Sequence, residues 1–252
     1  MLLLVTDTSG KDGFVALAQA GDSTGHNAIK VIEEIALAGG TFSAQLVPQI
    51  SGLLEKHGLS KTAIEAFIVV SGPGSFTGLR VGLAAIKALA EILRKPIVPV
   101  SLLEVLAPLT TMIAASHDEP NSAAVFRYAV ALDAARSEAF VGEFEAVSHA
   151  ENSRAKGESL LSVDGLAALL ESDSVNWIAT PDQTIFDCLS KRVSESKRRF
   201  VRRNLRRPRT AEVARCGWQK LKEGLIVSPE QLEANYIRRS DAEIFSKPAA
   251  SS

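Results

Sequence analysis

Residues Ile64–Arg80 read IEAFIVVSGPGSFTGLR, and this stretch decides the fold class. Ile64 to Val70 has the length and branched composition of a buried strand, helical spacing begins near Thr77, and Gly72, Gly74 and Gly78 crowd the turn between them. With a helix over Thr77–Leu93 and a short strand at Ile97–Val100, the stretch opens a strand–helix–strand unit, which implies parallel pairing and a right-handed crossover. Pro73 fixes one torsion, and Thr77 is placed to cap a helix whose first amides attract anions or a partner's oxygens. No lysine follows the turn at Walker spacing, and one residue too many precedes the third glycine for a dinucleotide fingerprint. A turn that lets a helix lie close on a sheet accounts for the glycines as well as a ligand cradle does.

Upstream, Leu2–Thr6 and Phe14–Ala18 read as a hairpin, and Ile29, Val31, Ile35 and Leu37 keep the period of a third, edge-like strand. The sheet is therefore mixed. Thr41 caps a helix over Phe42–His57, with Phe42, Leu46, Ile50, Leu53 and Leu54 at helical spacing, Gly58 as terminator, and Pro48 predicting a kink or late start. Downstream come a helix over Leu102–Ala114, a polar linker over Ser116–Ser122, and a second hairpin, Tyr128–Leu132 with Ala139–Phe144. A strand at Trp177–Ala179 and helices at Asp164–Leu170 and Thr184–Leu189 fill out a smaller second unit. The division expected is one lobe over 1–104, completed by a helix at 210–224, a second lobe over 105–209, and a tail over 225–252 that ends in a disordered-looking Lys247–Ser252.

The 252 residues are 46% apolar and 23% charged, the balance of a globular protein with a substantial core. A formal net charge of −1 gives no overall pull toward nucleic acid or membrane. No run approaches the length of a membrane span, and MLLLVTDTSG lacks the basic start of a signal peptide. Two distant cysteines, Cys188 and Cys216, suit a cytoplasmic chain with reduced thiols.

The four histidines share no metal-ligand spacing, and a Gly-x-Ser-x-Gly elbow is absent, so Ser75 reads as a turn residue. Asp7, followed by Thr8 and Ser9, ends the first strand, an arrangement that suits a magnesium or phosphate site and equally a plain hairpin turn. Asp133 ends a later strand in the same way, a hint of duplicated halves. Lys197–Arg209, KRRFVRRNLRRPR, carries eight basic residues in thirteen. As a helix it would gather Arg202, Arg203, Arg206 and Arg207 on a face suited to RNA phosphates; as strand and loop its charges would be balanced by acids brought near in space.

Four ordered segments carry a wider resemblance: Val5-TDTSG, Val70-SGPGSFTGLRVGLAAIKALA, Leu132-DAARSEAF and Leu232-EANYIRRSDAEI. Together they resemble the TsaB (YeaZ) family, the small subunit of the bacterial tRNA threonylcarbamoyladenosine synthase, over nearly the whole chain. The resemblance implies an actin-like, ribonuclease H-like α/β fold of two duplicated lobes. It also implies a chain that is not the catalyst: the larger paralogue, TsaD, binds a metal and transfers threonylcarbamoyl to the N6 of adenosine 37 in tRNAs reading codons that begin with A. Where TsaD has a His-x-x-x-His pair, the matching stretch here is Leu102-Leu103-Glu104-Val105-Leu106, and leucine cannot bind a metal. No metal or cofactor is thus expected.

The partners implied are a TsaD-like catalytic subunit, a TsaE-like ATPase, tRNA within the complex, and a second copy when the chain is alone. Pairing is expected through the helices Phe42–His57 and Thr77–Leu93, with Phe42, Leu46, Ile50, Leu53, Arg80, Leu83 and Lys87 as candidates, several of which must instead face the sheet. Phe42-Ser43 stands where family members often carry His-Ser. The opposing reading is an enzyme, either an actin-like ATPase using Asp7, Thr8 and Asp133 or a glycoprotease. The missing ligand pair speaks against the protease, and Ala134-Ala135, where a glycine pair would be expected, against the ATPase.

Overall fold

The computed structural model describes residues 1–21, 28–115, 125–147, 153–198, 201–202 and 205–238. The linker expected over Ser116–Ser122 and the terminus Lys247–Ser252 lie outside them. Leu2–Asp7 (β1), Asp12–Ala20 (β2) and Ile29–Ala38 (β3) form an antiparallel meander, followed by Phe42–Lys56 (α1), Ala66–Gly72 (β4), Phe76–Leu93 (α2), Ile97–Ser101 (β5) and Leu102–Ala115 (α3). Then come Val125–Asp133 (β6), Glu138–Val147 (β7), Ser153–Ser162 (β8), Val163–Glu171 (α4), Trp177–Ala179 (β9), Gln183–Arg192 (α5), Glu195–Arg198 (α6), Val201–Arg202 (β10) and Thr210–Lys222 (α7).

The first sheet runs β3-β2-β1-β4-β5 and the second β8-β7-β6-β9-β10. With α6 set aside, every strand and helix of one half has a counterpart in the other. In both halves the meander is antiparallel and the last two strands run parallel to the first. This is the ribonuclease H-like strand order used twice, so the duplicated, actin-like α/β class expected from the resemblance is the class observed.

The layering follows from side-chain alternation. In β1, Leu2 and Leu4 face α1 and α2, while Leu3 and Val5 face the space between the sheets, so the strand is apolar throughout because both its faces are covered. Helix α3 packs on β6, β7 and β8 of the second sheet, and α7 packs on all five strands of the first. The last helix of each half thus fills the middle layer. There Leu106 and Val213 share one core with Leu3, Val5, Tyr128 and Trp177; the rings of the last two stack at 5.6 Å, and the Tyr128 hydroxyl donates to the Ala107 carbonyl at 3.1 Å. Helices α4 and α5 cover the far face of the second sheet.

Two local expectations are corrected, one unannounced strand is added, and the described part of Lys197–Arg209 follows the strand-and-loop alternative rather than the helical one. Strand β4 starts at Ala66, two residues late, because Lys61–Ala63 forms a 3-10 turn that ends on Ile64. Helix α2 starts at Phe76, and its cap is Ser75, whose Oγ accepts the Gly78 N–H at 3.3 Å; Thr77 is exposed in the first turn. Strand β8, SRAKGESLLS, has no apolar alternation to announce it; it sits at a sheet edge with Arg154 to Gly157 exposed, and pairing with β7 makes it a strand. Lys197–Arg209 is not one helix: α6 ends at Arg198, β10 pairs in parallel with β9, and residues 205–209 are irregular. A continuous helix would stack like charges four residues apart, whereas acids from three other places draw the cations outward: Asp173 to Lys197, Asp182 to Arg207 and Glu212 to Arg206. Pro48 lies inside α1, which continues through it.

Candidate partner face and interlobe cleft

The glycine turn is a packing device. A Cβ on Gly74 would lie 2.2 Å from the Ser9 carbonyl oxygen and one on Gly78 2.1 Å from that of Thr8, so α2 can lie on the β1–β2 turn only without side chains at these positions. The turn's polar groups are used the same way. Thr8 Oγ1 donates to the Gly78 carbonyl at 2.8 Å, Ser75 N–H to the Ser9 carbonyl at 2.7 Å, and Asn235 N–H to the Ser71 carbonyl at 2.8 Å. Gly72, at φ 138°, turns the chain beneath Asn235.

Asp7 and Asp133, named for a vestigial nucleotide cleft, take different faces of their sheets. Asp7 pairs across the sheet with Phe14, on the face of Leu3 and Val5, and therefore points between the sheets. Asp133 pairs with Ala139, on the face of Ala129 and Ala131, and therefore points toward α4 and α5, where it is exposed. Its Oδ1 accepts the Ala135 N–H at 2.7 Å and stabilises its own turn. Thr8 is buried under α2. Asp7 accepts Ser9 N–H and Oγ–H at 2.8 and 2.6 Å; burial pushes its carboxyl pKa up, against the Ser9 hydrogen bonds and the Arg207 charge that pull it down. Leu102 and Leu106, which the resemblance matches to the paralogue's ligand pair, are buried in the central core. Among the described residues no group of three His, Cys, Asp or Glu side chains could hold a metal ion, and no helix is long and apolar enough to cross a membrane.

Helices α1 and α2 lie side by side on the first sheet, and burial divides the residues proposed to contact a partner. Phe42, Leu46, Ile50, Leu53 and Leu83 belong to the chain's own core, which corrects their assignment to the contact surface. They recur at three- and four-residue steps because that stripe faces the sheet. The exposed residues are Ser43, Ala44, Val47, Pro48, Gly52, Glu55 and Lys56 on α1, and Thr77, Arg80, Ala84, Ala88, Glu91 and Ile92 on α2, with Lys87 half-buried. Val47 is 47% exposed and Ile92 77%.

Of the arginine run, β10 includes Arg202, Arg203 lies outside the described residues, and Arg206 and Arg207 are held by Glu212 and Asp182 at 2.7 and 2.6 Å. Sequence reasoning passed over a second polar group, where the C-terminal segment crosses between lobes. Glu158 of β8 takes hydrogen bonds from Ser101 Oγ and Asn235 Nδ2, and its pKa is raised mainly by burial, while Lys220 pairs with the adjoining Glu104 at 2.7 Å. Asn235 and Tyr236 sit in the ordered segment at Leu232, so a motif marked them although no periodicity did.

Residues 36–245 match the family model described as TsaD, tRNA N6-adenosine threonylcarbamoyltransferase. Over 243 residues, 96% of each chain, the sequence is 25% identical to the tRNA threonylcarbamoyladenosine biosynthesis protein TsaB of Bacillus subtilis. The chain belongs to the TsaD family, in its TsaB (YeaZ) branch. The TsaB of Haemophilus influenzae is 35% identical over 107 residues, an alignment that takes in 42% of each chain. The solved structure of YeaZ from Pseudomonas aeruginosa superposes with a TM-score of 0.67 at 22% identity, covering 93% of this chain and 99% of that one, so the TsaB fold is shared.

Proposed function

We propose that the chain is a non-catalytic subunit of the machinery that makes threonylcarbamoyladenosine in tRNA, acting by pairing with a TsaD-type catalytic subunit, or with itself when alone. The observation that carries this reading is the outer face of α1 and α2, where Val47 and Ile92 stand exposed among Ala44, Ala84 and Ala88. Small residues let two helices approach closely, and exposed large ones gain by being covered. Leucines at both ligand positions and an Asp7 and Asp133 that face apart support the non-catalytic part. A TsaE-type ATPase, tRNA and a cytoplasmic location complete the reading.

The test is copurification of the chain with the TsaD-type protein of the same cell, with reconstituted modification of tRNA as readout. Pairing and a modification activity that needs both chains are expected. A TsaD-type protein that modifies tRNA equally well alone would overturn the proposal.

A further inference from the structure

We infer that Arg80 is a pre-ordered anchor on this face that takes a carboxylate of the partner subunit, with Tyr236 of the C-terminal segment as its positioning residue. The inference rests on the pairing function proposed above. The Arg80 guanidinium lies 3.6 Å from the centroid of the Phe76 ring, and its Nε donates to the Tyr236 hydroxyl at 3.1 Å. The two rings are themselves in contact, with centroids 4.9 Å apart. A long, exposed side chain is thereby held in one orientation, so most of the freedom it would lose on binding is already lost.

Among the described residues its charge has no carboxylate partner. Arg127, Arg192, Arg206, Arg207 and Arg238 each hold a carboxylate, but among the described residues none lies within ion-pair distance of Arg80. With Nε engaged, the two terminal nitrogens remain, a fork that fits the two oxygens of a carboxylate.

The surroundings select protein over RNA. Arg80, Ala84, Lys87 and Glu91 follow one another at helical spacing along α2, the helix that packs against α1. A surface that tracks a phosphate backbone needs several unpaired cations, whereas a protein contact is depleted of charge at its centre and favours an arginine and aromatics as anchors.

Tyr236 is fixed from both sides. Asn235 is tied to Ser71 and to Glu158, and Arg238 to Glu138 of the second sheet. Both lobes therefore set the aim of one arginine.

The test measures the dissociation constant of the full chain for the TsaD-type partner at two salt concentrations, with thermal melts showing that each variant is folded. Arg80→Ala is expected to weaken pairing about 30-fold, the scale of an interface anchor. Arg80→Lys, which lacks the fork, should recover little of that affinity, while the salt dependence should flatten in Arg80→Ala and persist in Arg80→Lys, which keeps the charge. Tyr236→Phe should weaken pairing several-fold, yet add nothing in the Arg80→Ala background, because a positioning residue acts only through what it positions. Wild-type affinity in Arg80→Ala overturns the inference while leaving the pairing function standing, and additive effects overturn the role of Tyr236. Unchanged pairing with lost tRNA retention would assign Arg80 to nucleic acid instead. A wild-type chain that does not pair at all overturns both proposals.

Discussion

Arg207 and Asp182 meet at 2.6 Å across the end of the second sheet, and the same guanidinium is close enough to Asp7 of the first sheet to pull its pKa down. Asp182 also accepts the backbone N–H of Asp133 at 2.8 Å. A cation of this chain therefore stands between the two halves, where the enzyme reading would have put two carboxylates facing a ligand.

Burial outweighs Arg207 at Asp7, and this has a pH consequence. A carboxyl whose pKa is raised on folding takes up a proton more readily in the native state than in the unfolded one. Stability is then lost as pH rises from the unfolded value through the folded one, and the cost persists at neutral pH. Asp7→Asn keeps an oxygen for Ser9 and removes the charge. It should therefore melt higher than wild type at pH 7, with the gain vanishing in acid below the unfolded carboxyl range; a gain that is equal at both pH values would contradict this.

The two sides of α1 should respond oppositely to the same substitution. Leu46 and, on the neighbouring α2, Leu83 are 1% and 5% exposed, so arginine in their place buries an unpaired charge in the core and should unfold the chain. Val47→Arg places the charge in solvent in the isolated chain. It should leave the melting temperature within a few degrees while costing pairing about 3 kcal/mol, near a hundredfold in affinity. Gel filtration with the partner, beside melts of each chain alone, separates the two effects.

Glycines divide in the same way. A Cβ on Gly78 would meet the Thr8 carbonyl at 2.1 Å, so Gly78→Ala must push α2 off the β1–β2 turn, at roughly 2–3 kcal/mol. A methyl on Gly52, inside α1, would have nothing within 4 Å, and Gly52→Ala should stabilise by about 0.5–1 kcal/mol. Urea titrations of the two variants would read both, and equal midpoints would refute the packing role of the turn.

Arg206 is better placed to hold the fold than to meet RNA. It grips Glu212, a nearly buried side chain that also accepts the Arg209 N–H at 2.6 Å and starts α7. Arg206→Gln should cost about 1–2 kcal/mol by leaving that carboxylate short of partners. A variant that melts like wild type but retains less tRNA would instead return Arg206 to the nucleic-acid reading.

Much of this was legible along the chain. The apolar run ending at Val70, the glycine turn and the helical spacing after it specify a parallel unit through short-range sterics, and the Asp7 and Asp133 strand ends signalled the duplication. Strand β8 was not legible, because an edge strand borrows its order from β7 and needs no hydrophobic pattern of its own. Nor was the true helix cap, since Ser75 and Thr77 are chemically alike and only the path of the turn separates them.

Local order along the chain thus settled most of the strands and helices, β8 and β10 apart, and that two similar halves follow each other, because those properties depend on neighbours a few residues apart. Packing alone decided that Leu46 is core and Val47 surface, that Asp7 and Asp133 face apart, and that Tyr236 reaches back to Arg80. Each of those is a question of which face a side chain takes or which distant residue it meets, and a contact across 156 positions has no trace in the periodicity of either segment.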